Sequence, residues 1–331
     1  MIERSRTTRR RFVCVGLWAA GAVLAGPAAQ AQEYPAHPVK IIVPFAAGGP
    51  ADVYARVIGQ RLQQAMGGNF VVENRPGAGS IIGTDAVAKA APDGYTLLLM
   101  SNAHTVNESL IPNKPFALMR DFAPVAPLNY SDLVLVVRNQ LPVKDLADLL
   151  RQAKDKPDGM TYASSGPGTP YHMAGELFKA MAGVSILHVP YKGSTNARTD
   201  VLGGQIDMMF DAIPTMVPHI NSGRVKALAT TGERRSTVLP DLPTISESGV
   251  RDYEATIWLG LMAPKGVPAP ILARLNAAIG KIVADPEIQR SWAAQGATPM
   301  SMSTQEFEGF LNQDIEKWAR IVKISGAKVG Q

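Results

Sequence analysis

Three short segments rich in glycine and serine are the parts of this chain whose chemistry suits the binding of an anion. They span residues 45–49, 76–83 and, more loosely, 164–172, and each lies between an apolar run and a helical pattern. A glycine-rich turn that leads into a helix leaves peptide N–H groups without partners at the positive end of the helix dipole. Such a corner also occurs as an ordinary turn of an α/β domain. Its repetition favours the interpretation as a binding site.

The first corner shows most clearly how strand, loop and helix are arranged. Residues 40–43 form a short apolar run that suits a buried strand, which Pro44 ends. Pro50 suits the first helical position, where a missing N–H is not needed, and Asp52 places a carboxylate in the first turn. Apolar residues then follow at helical spacing. The pattern therefore predicts a helix N-terminus that opens onto an anion site.

A nucleotide site is the main rival interpretation of the second corner. Gly77, Gly79 and Gly83 follow a predicted strand, but their spacing differs by one residue from the dinucleotide fingerprint. The acidic residue that would contact a ribose is missing from the end of the next strand, at residues 101–103. Hydrolytic chemistry has little support either, because residues 164–166 do not form a nucleophile elbow and no base is placed beside them by the sequence.

The five histidines and the isolated cations Arg75 and Lys192 are further candidates for functional groups. The five histidines show no spacing typical of a metal site, and no cofactor is predicted. His172 stands beside a loop near a predicted helix start, and it is either a polar residue of a cleft or a structural group that is already satisfied. His188 heads an apolar strand and is predicted to lie in the core or at its rim. Arg75 is predicted to be structural and Lys192 to be solvated.

Strands and helices alternate along the chain, and this order predicts parallel sheets with helices on their faces. Residues 101–130, which hold several prolines, are predicted to be rich in loops, and the tail beyond residue 270 is predicted to be helical. The predicted strands span residues 40–43, 70–73, 95–100, 133–137, 161–163, 186–189, 207–210, 225–230 and 257–262. We interpret this order as two α/β lobes, between which the chain passes at 133–137 and returns at 257–262. The C-terminal helices are expected to pack on the first lobe.

Residues 1–31 have the pattern of a secretory signal peptide. An arginine-rich start is followed by an apolar stretch over residues 12–25 and by an A-x-A cleavage site at residues 29–31. Residues 8–12 also resemble a twin-arginine signal, so export by either the Sec or the twin-arginine route remains open. The single cysteine, Cys14, stands at the start of the apolar stretch, so neither a lipid anchor nor a disulfide is expected.

Removal of this segment changes what the net charge implies. The chain has 33 Lys and Arg and 28 Asp and Glu, of which residues 1–31 hold five arginines and one glutamate, so the mature chain carries 28 − 27 = +1. The basic character therefore belongs mostly to the signal and gives no support for nucleic-acid binding. The mature protein is expected to be exported and soluble.

Many short motifs along the mature chain closely resemble the Bug family, the periplasmic solute receptors of tripartite tricarboxylate transporters. The resemblance covers essentially the whole mature chain. Its motifs are VPF with GG and a following aspartate at 43–52, VENRPGAG at 72–79, APDGYTL at 91–97, DFAPV at 121–125, YASSG at 162–166, HVPYKG at 188–193, DLPT at 241–244 and the tryptophan at 258.

The resemblance implies a type II periplasmic-binding-protein fold with two α/β lobes joined by two crossing strands. The first lobe would comprise residues 33–133 and 256–331, and the second residues 134–255. It further implies that a ligand carboxylate is held in the cleft, largely by backbone N–H groups and ordered water. In the first lobe the corresponding residues are Phe45, Ala46, Ala47, Gly48, Gly49, Asp52, Gly77, Ala78, Gly79 and Ser80. In the second lobe they are Ser164, Ser165, Gly166, Thr169, His172, Tyr191 and Asp211.

Two positions depart from the commonest family pattern. Pro50 stands where a small residue is frequent and removes one N–H from the first corner, and Ser80 stands where glycine is frequent and could add one hydroxyl donor. The function implied is that of a monomeric, non-enzymatic receptor for a small carboxylate, which could be a dicarboxylate, a tricarboxylate, an amino acid or an aromatic acid. Its expected partners are the membrane subunits of a tripartite tricarboxylate transporter or, alternatively, a sensor. The alternative function is that of an exported α/β enzyme that uses the glycine-rich loops.

Overall fold

The computed structural model describes Met1 and residues 34–328, and it has the predicted two-lobe α/β fold. The predicted signal peptide, apart from Met1, lies outside the described residues. Among residues 34–328, no helix is both long and apolar enough to pass through a lipid bilayer.

The first lobe begins with three parallel strands, each followed by a helix. Its elements are β1 (Val39–Val43), α1 (Pro50–Met66), β2 (Phe70–Asn74), a 3-10 turn (Ala78–Ser80), α2 (Ile81–Ala88), β3 (Thr96–Ser101), α3 (Asn102–Leu110) and α4 (Leu118–Asp121). Strand β1 lies between β2 and β3 and is parallel to both. Because all three strands run the same way, their carboxyl ends and the loops that follow lie along one edge of the sheet.

A long strand, β4 (Phe122–Arg138), links the two lobes. Its first part pairs with β9 (Thr256–Pro264), and its last part pairs with β7 (Met208–Ala212) and β8 (Val225–Thr230), in each case antiparallel. Strand β9 also pairs with β3, so it carries the chain back to the first sheet. The predicted lobe boundaries at 133/134 and 255/256 fall within β4 and directly before β9.

Residues 101–130, predicted to be rich in loops, hold more regular structure than expected, because α3, α4 and part of β4 lie there. Helix α3 is stabilised at its start by Ser101, whose hydroxyl accepts a hydrogen bond from the N–H of Ala103 at 3.2 Å. Pro124 and Pro127 are accommodated in β4 because each lies beside an irregularity in the register with β9, where a ladder N–H is not required.

The second lobe repeats the arrangement of strand, corner and helix. Its elements are α5 (Leu146–Asp155), β5 (Thr161–Ser164), α6 (Pro170–Ala182), β6 (Leu187–Pro190), α7 (Ser194–Leu202), β7, α8 (Ile213–Asn221) and β8. Strand β5 lies between β6 and β7 and is parallel to both. The corners after β5 and β6 therefore lie at one edge of this sheet.

The C-terminal elements are α9 (Ala269–Val283), α10 (Pro286–Ala293), β10 (Ala297–Pro299) and α11 (Thr304–Ser325). The start of α11 packs in the first lobe, where Phe307 and Leu311 belong to the cluster around Trp258. Further along, Trp318 belongs to the cluster that contains Phe178 of the second lobe. Helix α11 thus packs on the first lobe, as expected of the C-terminal helices, and also contacts the second lobe.

Candidate functional site

A cavity of about 450 Å³ lies between the two lobes, at the edges where the parallel strands end. The corners after β1, β2 and β3 line it from the first lobe, and those after β5 and β6 line it from the second. Ile257 and Leu259 of the returning strand β9 add an apolar wall. The corners that the sequence singled out are thus brought together at one cavity.

Four helices begin at this cavity without a side-chain cap. The N-cap residues of α1, α2, α6 and α7 are Gly49, Ser80, Thr169 and Gly193, and none of them makes a side-chain hydrogen bond to its own helix start. All four residues line the cavity. Their helices therefore direct uncapped N-termini, with their partial positive charge, toward one space.

Several peptide N–H groups around the cavity also make no hydrogen bond to any other described residue. They belong to Phe45, Ala46, Ala47, Gly77 and Ala78 in the first lobe, and to Ser165, Lys192 and Gly193 in the second. Because unpaired N–H groups favour an anionic acceptor, this set suits a carboxylate that is bound from both sides.

In the first corner, Gly48 and Asp52 shape the loop but do not line the cavity. The N–H of Gly48 donates to Oδ2 of Asp52 at 3.0 Å, and Arg56 pairs with the same carboxylate at 2.9 Å. Burial acts to raise the pKa of Asp52, but the hydrogen bonds from Arg56 and Gly48 outweigh it and lower the pKa below its ordinary value. Asp52 is therefore ionised and fixes the open shape of the loop.

In the second corner, Ala78, Gly79 and Ser80 all line the cavity and all have positive φ angles. The turn is held from behind by Asn107 of α3, whose Nδ2 donates to the carbonyl oxygen of Gly79 at 2.9 Å. The hydroxyl of Thr84 donates to the carbonyl oxygen of Ser80 at 2.8 Å. These bonds occupy the carbonyl groups and leave the N–H side of the turn available.

In the second lobe, Ser165, Gly166 and Thr169 line the cavity, whereas Ser164 and His172 lie behind the loop. The hydroxyl of Ser164 accepts a hydrogen bond from the N–H of Gly166 at 3.1 Å. Nδ1 of His172 accepts one from the N–H of Gly168 at 3.1 Å. Both side chains therefore contact the loop backbone directly.

His188 is a residue of this corner that sequence reasoning missed. Its Nε2 lies 2.7 Å from Oγ of Ser164, and its ring lies 4.3 Å from the ring of His172. The signal that points to this contact is the parallel register of β5 with β6, which aligns Tyr162 with His188. Ser164 has no exposed surface and does not line the cavity, so this serine–histidine pair is not placed to attack a solute.

Tyr191 and Asp211, the remaining predicted residues, differ in position. Tyr191 lines the cavity, and its hydroxyl donates to Asp200. Asp211 is fully buried away from the cavity and accepts a hydrogen bond from Nε of Arg198 at 2.7 Å. Burial raises the pKa of Asp211, while the Arg198 guanidinium opposes this effect.

Lys192 is the only charged residue among the described residues that line the cavity. Its side chain is exposed, as expected of a solvated lysine, but it also borders the binding space. No carboxylate lines the cavity in the part of the chain that the structure describes. The electrostatics of the site are therefore positive, from one cation and four helix N-termini.

The two lobes approach each other closely at two places beside the cavity. A Cβ atom on Gly79 would lie 2.9 Å from the carbonyl oxygen of Pro167, and one on Gly193 would lie 3.3 Å from Cβ of Ala46. In both pairs the two residues belong to different lobes. The structure therefore represents an arrangement in which the lobes have closed on the cavity.

Two α/β lobes that share crossing strands and enclose a positive cavity define a two-lobe solute-binding protein. The model of the tripartite tricarboxylate transporter family receptor, TctC, matches residues 54–327, and the chain belongs to this family. The protein BugT of Bordetella pertussis is 39% identical over 322 residues, covering 97% of this chain and 98% of BugT. The resemblance to the Bug family is thereby confirmed.

Two solved structures of similar proteins show how close the fold is. The R. palustris protein Rpa4515 with adipate is 33% identical, with a TM-score of 0.86, covering 89% of this chain and 99% of that one. MatC from Rhodopseudomonas palustris with bound malate is 32% identical, with a TM-score of 0.82, covering 87% of this chain and 100% of that one.

Proposed function

We propose that this protein is a periplasmic receptor that binds a small organic carboxylate in the cavity between its lobes and delivers it to the membrane subunits of a tripartite tricarboxylate transporter. The observation that carries this proposal is the convergence of four uncapped helix N-termini on one cavity that no carboxylate of the described residues lines. Each helix N-terminus stabilises an anion by about 0.3–1 kcal/mol at an exposed site and by more where it is partly buried.

The size and the lining of the cavity are consistent with such a ligand. Its volume of about 450 Å³ lies within the range of roughly 300–1,000 Å³ that is usual for small-molecule sites. The peptide N–H groups would bind the carboxylate, and Ile257 and Leu259 would contact the carbon skeleton. The adipate and malate of the two related structures belong to this chemical class.

We assign no catalytic activity to this site. The family is one of solute receptors. The alternative of a hydrolase would require Ser164 to reach a solute, and its full burial and its hydrogen bond from Gly166 oppose this. The alternative of a nucleotide-dependent enzyme is tested directly by the binding experiment below.

Delivery to a transporter and residence in the periplasm rest on membership of the family and on the predicted signal peptide. The predicted signal is compatible with either the Sec or the twin-arginine route. A sensor is the alternative partner, and it would use the same cavity and the same closure of the lobes. We propose that the receptor acts as a monomer, because one chain forms both walls of the cavity.

The test is a binding screen on the mature chain, residues 32–331, by thermal shift and isothermal titration calorimetry. The probes are malate, adipate, citrate, glutamate and benzoate, with adipamide as the uncharged match for adipate and with NAD and ATP as nucleotides. A ligand present at 100 times its Kd raises the free energy of unfolding by about 2.7 kcal/mol. We expect stabilisation by at least one carboxylate, none by adipamide, and recovery of the ligand unchanged. Stabilisation by NAD or ATP alone, or turnover of a carboxylate, would overturn the proposal.

A further inference from the structure

The loop of residues 165–169, here named the binding loop, has two roles in the closed structure. Ser165, Gly166 and Thr169 line the cavity from the second lobe. The same loop also touches the first lobe, because a Cβ atom on Gly168 would lie 2.5 Å from Oδ1 of Asn107. The shape of this loop therefore affects both the wall of the site and the fit between the lobes.

Three side chains hold the binding loop through hydrogen bonds to its backbone. The hydroxyl of Thr169 donates to the carbonyl oxygen of Gly166 at 2.6 Å, and the hydroxyl of Ser164 accepts from the N–H of Gly166. Nδ1 of His172 accepts from the N–H of Gly168. Of these three groups, only the imidazole of His172 can lose its acceptor by gaining a proton.

His172 is the third residue of α6, and from there its side chain reaches back to the residue before the N-cap. His104 occupies the same position in α3 of the first lobe, where its Nδ1 accepts from the N–H of Ser101 at 3.1 Å. A cation is unfavourable near a helix N-terminus, because the dipole there is positive. The position therefore favours a neutral imidazole, which can accept a hydrogen bond at Nδ1.

The surroundings of His172 also favour the neutral form. Burial and, to a smaller extent, nearby Lys179 together lower the pKa of His172 to about 4. Among the described residues, Glu176 is the carboxylate that faces His172, 3.9 Å from its Nε2. Glu176 in turn accepts hydrogen bonds from Nζ of Lys179 at 2.8 Å and from the hydroxyl of Tyr162. On the other side lies the ring of His188, whose own pKa is lowered by burial to about 3.

We propose that His172 is a positioning residue for ligand binding: its neutral imidazole accepts the N–H of Gly168 and thereby holds the binding loop in the shape that closes on the ligand and on the first lobe. His188 supports the same loop through Ser164. This proposal rests on the proposed function for the chemical class of the ligand. The hydrogen bond that holds the loop does not depend on that function.

Two substitutions at His172 distinguish a role as hydrogen-bond acceptor from a role in packing, because they place an acceptor oxygen at different positions. In His172→Asn the amide oxygen takes approximately the place of Nδ1, whereas in His172→Gln it takes approximately the place of Nε2. Both variants lose the ring contact with His188, so they are matched in that loss. We expect His172→Gln to raise the Kd for adipate or malate about tenfold, as for the loss of one buried hydrogen bond, and His172→Asn to stay within about threefold of the wild type. His219→Gln, on α8 and away from the cavity, is the control and should bind as the wild type does.

The pH profile provides a readout that a packing role would not change. Protonation of His172 removes the acceptor, so the affinity of the wild type should be retained above the lowered pKa and lost as the pH falls through about 4. The ligand also titrates in this range, and the ratio of the wild-type Kd to the His172→Asn Kd cancels that effect. We expect this ratio to rise below about pH 4.5, because the amide of asparagine does not titrate there. Equal Kd values for the Asn and Gln variants, or a ratio independent of pH, would overturn the proposal.

Hydrogen exchange without ligand keeps this test independent of the proposed function. The amides of residues 166–169 should exchange faster in His172→Gln than in His172→Asn, while the two variants have the same thermal stability. If the loop behaves in this way and no carboxylate binds to the wild type, the proposed function fails while the role of His172 in the loop stands. If exchange is the same in both variants, His172 does not position the loop.

Discussion

The close approach of Gly79 to Pro167 predicts that a single added methyl group will oppose closure of the lobes. In Gly79→Ala, the new Cβ would lie 2.9 Å from the carbonyl oxygen of Pro167, and a backbone atom of the opposite lobe would have to move. Overpacking of this kind costs about 1–3 kcal/mol. Because the contact exists only when the lobes are closed, this cost should appear in the binding free energy, as a rise of about 5- to 150-fold in Kd.

Gly79 also has a φ angle of +62°, so alanine there adds backbone strain that has nothing to do with closure. Gly48→Ala is the matched control, because Gly48 has a φ angle of +79° and a Cβ there would meet nothing within 4 Å. Both variants should lose about 1–2 kcal/mol of unfolding free energy from the left-handed conformation. Only Gly79→Ala should lose affinity for the carboxylate that binds best in the screen.

The assay combines calorimetric Kd values with small-angle X-ray scattering. We expect saturating ligand to reduce the radius of gyration of the wild type and of Gly48→Ala, and to do so less in Gly79→Ala. Equal Kd values for the two alanine variants would refute the reasoning, since the contact between the lobes would then carry no cost.

Two further substitutions test the electrostatics of the site and of α11. Lys192→Met removes the only charged side chain described at the cavity. We expect it to raise the Kd for malate and adipate about two- to fivefold, because exposed charges interact weakly, and to make that Kd less dependent on salt concentration. Lys144→Met, in the same lobe but away from the cavity, is the control and should change neither the Kd nor its salt dependence. Asp314→Ala leaves Nε1 of Trp258 without its acceptor and should lower the free energy of unfolding by about 1–3 kcal/mol in denaturant titrations. The hydroxyl of Thr105 also loses Asp314 as an acceptor but keeps the carbonyl oxygen of Asn102. Burial raises the pKa of Asp314, so the folded state holds that proton more tightly than the unfolded state does. The wild type should therefore lose stability relative to Asp314→Asn as the pH rises above about 4, the ordinary pKa of an aspartate, and a difference in stability that does not change with pH would contradict this.

The corners were predictable from sequence because each is a local pattern. An apolar run, small residues and a helix start identify a strand-to-helix turn without any knowledge of distant residues. The alternation of strands and helices then places several corners at one sheet edge. The same local rules failed at β4, because Pro124 and Pro127 look like loop residues until their pairing with β9 is known.

Which face of a corner meets the cavity could not be read from the sequence. Asp52 and His172 both stand early in their helices and looked suited to a ligand, yet each turns back to a glycine N–H of its own loop. The contact of Ser164 with His188 depends on the parallel register of two strands, and the sequence does not specify which strands are neighbours. The position of Lys192 at the cavity likewise depends on how the lobes close.

The distribution of donors between the lobes explains why closure and binding should be one process. The first lobe offers backbone N–H groups from residues 45–47 and 77–78, and the second offers others from 165 and 192–193. With the lobes apart, a carboxylate could reach only one of these sets, and water would solvate the other. A ligand therefore gains its second set of hydrogen bonds only in the closed form, and this difference in affinity between the two forms is what can drive closure. Under the proposed function, side chains at the cavity, such as Lys192 and Ile257, would contact the part of the ligand that the backbone does not hold, and selectivity among carboxylates would arise there.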